Sequence, residues 1–190
     1  MIFENGLAGY HEAEPFDLED FRSAGKDFLN AGFVYVSCGC RGRSSENIDK
    51  KRCGKSPLSI VDLKAGVRFL KHLTGVIPGD MTKIVSVGIS AGGAMSTLLG
   101  ATGNSKDYEK ELRKAGALMD EGDDVFAAQC YCPIIDLDHA DLAYEWMFRG
   151  ETHYMGMPFV GFDEGDLAPY AAALSSRMAD AYPKYFNSLG

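Results

Sequence analysis

Gly88-Ile89-Ser90-Ala91-Gly92 is the stretch of this sequence whose residue types and spacing could do chemistry. A serine hydroxyl is a weak nucleophile until a tight turn lifts it clear of the backbone and a neighbouring base takes its proton. Gly-x-Ser-x-Gly supplies such a turn, a nucleophile elbow, when a strand precedes it and a helix follows. Ile84, Val85 and Val87 form the apolar, β-branched run of a buried strand, and Ala91, Gly92, Gly93, Ala94 and Met95 open a helix of small residues. The positions two before and two after the serine must be nearly bare for strand and helix to pack this closely, and Gly88 and Gly92 meet that need. The turn would carry the Ser90 hydroxyl above the start of the helix, where free N–H groups and the helix dipole favour a developing oxyanion. The plainer alternative is a strand-to-helix turn with glycines for packing and Ser90 as an ordinary N-cap. Ala91, Gly93 and Ala94 behind so clear a strand favour the elbow.

The surrounding elements would have to hold that turn in place. Residues 1–3 read as the tail of a strand, followed by a small-residue loop, Asn5-Gly6-Leu7-Ala8-Gly9-Tyr10. Residues 17–30 are expected to be helical, with Phe21, Ala24, Phe28 and Leu29 on one face and Gly32 past the end. Residues 33–37 form an apolar strand and residues 39–55 a loop. Ser56 as N-cap and Pro57 at the first position start a second helix, striped by Ile60, Leu63, Val67 and Leu70 and ended by Gly75 and Pro78. After the elbow come a charged surface helix at 104–115, an apolar strand at 125–135 and a return to helix from Asp136. Strands alternating with helices and lacking hairpin signals define an α/β fold, with a parallel sheet covered on both faces. Sites on such sheets lie at the carboxyl ends of the strands, where residues 6–9, Arg41, Ser90 and residues 136–141 converge.

Composition narrows the partners. The 190 residues suffice for a domain with a real core, and a net charge of −8 without a basic stripe interleaved with aromatics argues against nucleic acid. Arg41, Arg43, Lys50, Lys51, Arg52 and Lys55 fall in a Gly/Ser/Asn-rich stretch that reads as a solvated loop, not a phosphate site. Beyond Ala115 the chain turns acidic, as suits a solvated or partner-facing surface. No apolar run is long enough for a membrane span. Met1-Ile2-Phe3-Glu4 carries no signal-peptide pattern; the compartment stays open, with the cytoplasm favoured. The five cysteines, Cys38-x-Cys40, Cys53 and Cys130-x-Cys132, could supply a zinc site, but structural zinc prefers wider spacing within a pair. They read better as reduced thiols in the core or at strand ends. Asp136, Asp138, His139 and Asp141 match neither a calcium loop nor a paired-histidine metal motif, so they read as helix cap and pocket wall. No metal or cofactor is expected.

Several runs resemble bacterial tannases and feruloyl-esterase-like α/β-hydrolases. They are Arg41-Gly42-Arg43, Gly54-Lys55-Ser56-Pro57 with Ile60-Val61-Asp62-Leu63-Lys64, and residues 88–94 and 98–104. Tyr131-Cys132-Pro133-Ile134-Ile135-Asp136-Leu137-Asp138-His139-Ala140-Asp141 and Glu145-Trp146-Met147 continue the match, which runs from Asn5 to about Phe148. The resemblance implies the α/β-hydrolase fold and hydrolysis of phenolic-acid esters, such as galloyl or feruloyl esters, through an acyl-enzyme on Ser90. The small-molecule ester is then the partner. Ala91 N–H would be one oxyanion donor, and a backbone N–H near Ala8 or Gly9 the second.

That chemistry needs a base and an orienting carboxylate, which in this fold follow the serine on loops after later strands. No two further strands carrying them are visible. After Phe148 come Gly- and Pro-broken aromatic segments (Tyr154, Met155, Met157, Pro158, Phe159) and an Ala-rich helix at 167–181, which resemble the start of a lid. The chain therefore reads as an internal fragment, a truncated sheet of roughly four strands: residues 1–148 hold the partial core and 149–190 begin the lid. Of the four histidines, His72 lies at the far end of the sheet and His11 precedes the serine near the site. His153 falls in the lid-like stretch, and His139 is the best internal candidate for a base. Its neighbour Asp138 points away from it on a helix and could not easily orient it. Tyr144, Trp146, Phe148 and Tyr154 would line an aromatic-acid pocket or pack the lid. A generic carboxylesterase and a catalytically inactive hydrolase-fold binding module stand as alternatives.

Overall fold

The computed structural model describes residues 1–134, 136, 146–147, 153–154, 157–158 and 169–190. The chain forms two compact units, Met1–Ile135 and Asp136–Gly190. In the first, strands β1 (Ile2–Asn5), β2 (Tyr35–Cys38), β3 (Val85–Ile89) and β4 (Ala127–Tyr131) form one sheet in the order β2-β1-β3-β4. Every pairing is parallel, with Asn5 opposite Cys38, Glu4 opposite Val87 and Ile89 opposite Tyr131, so all four strands end on the same edge. Helices α1 (Gly25–Asn30), α2 (Leu58–His72), α3 (Ala91–Ala101) and α4 (Glu109–Lys114) flank it, a 3-10 turn at Lys106–Tyr108 leading into α4. This is the four-stranded parallel α/β architecture expected from the alternation of apolar runs.

The core follows from the two periodicities. Ile60, Leu63, Val67 and Leu70 recur at helical spacing, and all four are buried where α2 meets the sheet. They enclose Phe3, Ile84, Met95 and Leu99 in one continuous apolar cluster. Successive side chains of β1 point to opposite faces of the sheet. Phe3 and Asn5 therefore share the face covered by α2 and α3, Phe3 against Gly66 and Asn5 against Gly92, while Glu4 lies on the α1 side with its carboxylate taking hydrogen bonds from Tyr35 OH at 2.6 Å and Ser23 Oγ at 2.8 Å.

Several expected boundaries move, for local reasons. The helix expected over 17–30 is only Gly25–Asn30. Asp17 and Asp20 accept hydrogen bonds from the N–H groups of Glu19 and Arg22, turning the backbone before a helix can start, and Phe21 is left 94% exposed. Ser56 does not cap α2: Pro57 occupies the cap position without a side-chain bond, and Leu58 N–H goes to the Lys55 carbonyl. β1 runs on through Glu4 and Asn5, and the last strand of the sheet is shorter than its apolar run.

The acidic segment after Ala115 is not simply solvated. Asp123 is fully buried, with Lys64 Nζ at 2.8 Å on one carboxylate oxygen and Arg68 Nε at 2.7 Å on the other. Asn104 N–H adds a third donor at 2.8 Å, and the Arg68 guanidinium also reaches the carbonyls of Leu118 and Glu121. Burial pushes the Asp123 carboxyl up, but these hydrogen bonds outweigh it and hold it below its ordinary value. The cluster fastens the segment leading into β4 onto α2. In the second unit, β5 (His153–Tyr154) and β6 (Met157–Pro158) pair antiparallel, and α5 spans Pro169–Ser188, longer than the helix expected at 167–181. The expected boundary at 148 lies outside the described residues.

Candidate active site

From β1 the chain goes to β2 on one side, then returns across β1 to place β3 on the other. A reversal of this kind opens a crevice at the carboxyl ends of the two strands, where open α/β sheets take their ligands. Ser90 follows β3 and the loop at 6–10 follows β1, so both border that crevice.

Ser90 sits at φ 57° and ψ −118°, a conformation that a residue with a Cβ rarely adopts. The turn is held from both sides: Ser90 N–H donates to the Tyr131 carbonyl at 2.9 Å, and the Ser90 carbonyl accepts from Ala94 N–H at 3.0 Å. The side chain is exposed and makes no capping hydrogen bond, so the plainer N-cap role is not the one this serine has. The glycines fit the steric argument. A Cβ on Gly88 would lie 2.2 Å from the Gly92 carbonyl oxygen, and one on Gly93 2.4 Å from that of Tyr131. A Cβ on Gly92 would stand 2.8 Å from Asn5 Oδ1. Ala91 is buried directly beneath the serine, and as first residue of α3 it has no carbonyl a turn earlier in the helix to receive its N–H.

The loop after β1 anchors at Leu7, which is buried, and exposes Ala8 and Gly9. Gly9 and Tyr10 both have positive φ, and His11 N–H closes a turn on the Ala8 carbonyl at 3.0 Å. Residues 39–55 brace this loop instead of standing free in solvent. Ala13 and Cys40 exchange backbone hydrogen bonds, Arg43 N–H donates to the Tyr10 carbonyl at 2.7 Å, and Glu12 N–H donates to Ser44 Oγ at 2.8 Å. Gly42 packs so tightly that a Cβ there would lie 2.3 Å from the His11 backbone. Arg41 clamps the segment to α2 through three contacts with the Asp62 carboxylate, at 2.6–2.9 Å.

No described histidine hydrogen-bonds the Ser90 hydroxyl. His11 Nε2 accepts from the Arg43 guanidinium at 2.6 Å, so its lone pair is already engaged. His72 is exposed on α2 with Glu121 at 3.7 Å, and His153 is exposed on β5. His139, with Asp138 and Asp141, lies outside the described residues, as do Tyr144 and Phe148. Trp146 packs on Tyr182 with ring centroids 5.0 Å apart.

The cysteines are all reduced. The two C-x-C pairs lie at the carboxyl ends of β2 and β4, opposite edge strands of the described sheet about 14 Å apart at the usual strand spacing, too far to share one tetrahedral ion. Burial pushes the Cys38 thiol up to about 11 and the Cys40 thiol up to about 12, so both stay protonated near neutrality. Among the described residues no group of three or more His, Cys, Asp and Glu is placed to hold a metal.

A serine on a strained strand-to-helix turn, at the switch point of an open parallel sheet, defines the core of an α/β-hydrolase. The model of the BD-FAE family, a feruloyl-esterase-type α/β-hydrolase domain, matches residues 8–147, and the chain belongs to that family. A tannase from Fusobacterium nucleatum is 36% identical with a TM-score of 0.73, covering 99% of this chain and 43% of its own. Tannin acyl hydrolase from Lactobacillus plantarum is 38% identical, with a TM-score of 0.74 over 99% of this chain and 42% of that one. A tannin acyl hydrolase in complex with ethyl gallate is 37% identical, with a TM-score of 0.74 over 99% and 42% respectively. The chain thus spans about two fifths of the length of the tannases it matches. No curated protein matches it.

Proposed function

We propose that this chain carries the nucleophile half of a serine esterase acting on carboxylic esters of phenolic acids. The observation that carries the reading is the exposed, uncapped Ser90 hydroxyl at positive φ above the start of α3. Ser90 Oγ attacks the ester carbonyl carbon, and the carbonyl oxygen takes up the negative charge. Ala91 N–H and the N–H of Ala8 or Gly9 donate to that oxygen; one such donor is commonly worth about 2.7–4 kcal/mol of barrier. Collapse of the tetrahedral intermediate expels the alcohol, and water releases the acid from Ser90. The proton of Ser90 goes to a histidine base held by a carboxylate; among the described residues none hydrogen-bonds the Ser90 hydroxyl, and in this reading the chain lacks its own catalytic Asp and His while residues 149–190 begin a lid. His139 is the best internal candidate for the base. The galloyl or feruloyl specificity is supported by the likeness to tannases, one of them complexed with ethyl gallate.

The competing reading is a hydrolase-fold module that binds without catalysis, favoured by the absence of any described hydrogen-bond partner for the Ser90 hydroxyl. A p-nitrophenyl ester separates the two. The 190-residue chain alone should give no burst; the protein extended by its downstream segment should give one, lost in Ser90→Ala. An extended protein without a burst would leave the binding module. Hydrolysis of methyl gallate ahead of p-nitrophenyl butyrate would support phenolic specificity, and the reverse order a generic carboxylesterase.

A further inference from the structure

Asn5, the last residue of β1, is buried beneath the turn that carries Ser90. Its Nδ2 faces three acceptors on the two elements that meet there: Val87 O of β3 at 3.3 Å, Gly92 O of α3 at 3.2 Å and Ser96 Oγ at 3.1 Å. Ser86 Oγ, fully buried on β3, completes the cluster with Ser96 Oγ at 2.9 Å. Three acceptors about one nitrogen fix which end of the amide is the donor. The opposite end, Oδ1, is buried and pressed against Gly92, where an added Cβ would lie 2.8 Å from it. Val87 and Gly92 stand three residues before Ser90 and two after it, and the backbone of Asn5 itself leads into the loop bearing Ala8 and Gly9. One residue therefore joins the strand entering the elbow and the helix leaving it through its side chain, and the loop facing it through its backbone.

We propose that Asn5 is a positioning residue: its carboxamide sets the angle at which β3 turns into α3, and so holds Ser90 and the Ala91 N–H in register with the loop after β1. The catalytic consequence rests on Ser90 being the nucleophile; the mechanical claim does not.

The test reads residue-resolved amide hydrogen exchange on the chain. Asn5→Leu removes the donors at similar volume. Asn5→Asp keeps the shape but donates only when protonated. In Asn5→Leu, protection of Ser90 N–H and Ala94 N–H should fall at least about tenfold, while Ile2 N–H, bonded to Val34 O, and Thr102 N–H, bonded to Leu98 O, change less than about threefold. Asn5→Asp should show the same local loss near neutral pH and regain protection, relative to intrinsic exchange, as the carboxyl protonates. Should both Asn5 variants fail to fold, Ser96→Ala removes one acceptor and should loosen the same two amides to a lesser degree. Loss shared equally by all four amides, unchanged protection at Ser90 and Ala94, or no recovery on acidifying Asn5→Asp would overturn the proposal. Because no turnover is measured, failure of Ser90 to acylate leaves this result standing.

Discussion

Gly88→Ala is the smallest perturbation that should dismantle the elbow. The added methyl would lie 2.2 Å from Gly92 O, 2.4 Å from Gly92 C and 2.8 Å from Asn5 Nδ2, against the 3.4 Å at which ordinary contact begins. Two of the three obstacles are backbone, so no side-chain rotation relieves them, and α3 must slide by roughly 1 Å relative to β3. Overpacking of a rigid site costs about 1–3 kcal/mol, and the slide weakens the Asn5 hydrogen bonds, each worth about 0.5–1.5 kcal/mol. With two of those bonds lost the sum is about 2–6 kcal/mol, a large share of a domain's stability, and should lower the urea midpoint by about 1–3 M. Gly116→Ala is the control: nothing lies within 4 Å of its Cβ and only a φ of 75° opposes it, so the loss should stay near 1 kcal/mol. A Gly88→Ala protein that loses less than about 1 kcal/mol and keeps Ser90 at positive φ would refute the steric account of the turn.

Other consequences are as open to measurement. Asp123→Ala leaves Lys64 and Arg68 charged and unpaired in the interior, and should cost about 3–5 kcal/mol in urea unfolding. Since the native Asp123 carboxyl titrates below its ordinary value, its contribution is complete above the unfolded value near 4 and is lost as pH falls through the lower folded one; the acid slope of the urea midpoint should flatten in the variant. Tyr35 behaves in the opposite sense. Burial, with the Glu4 carboxylate beside it, raises its hydroxyl to about 12, so stability should decline as pH rises from about 10 to 12, a slope that Tyr35→Phe removes. Among the described strands β4 pairs on one side only, and Phe126 and Tyr131 are 67% and 48% exposed beside and within it, so the chain should self-associate in sedimentation velocity at micromolar concentration. A sharp monomer boundary would contradict that.

The parts of the fold legible in the sequence are those set by local sterics and period. The stripe of α2 and the apolar run ahead of Gly88 have one stable solution each, and the small residues after Ser90 permit only a close strand–helix turn. What stayed hidden depends on partners distant in the chain. Asp123 looks like one more acidic surface residue until Lys64 and Arg68, 59 and 55 positions earlier, are brought against it. Asn5 reads as a turn residue before glycine, and only the pairing of β1 with β3 puts its amide under the elbow. Arg41 and Arg43 look like loop charges because the carboxylate of Asp62 and the ring of His11 are adjacent only in space. The helix expected over 17–30 failed for the converse reason: Asp17 and Asp20 satisfy nearby backbone groups themselves, a competition that apolar spacing does not register.

Peptide mass mapping after fluorophosphonate treatment, on the protein extended by its downstream segment, addresses the central claim most directly. A single adduct on the peptide containing Ser90, abolished by Ser90→Ala together with ester hydrolysis, is the predicted result. Label on another residue, or hydrolysis that survives Ser90→Ala, would contradict it.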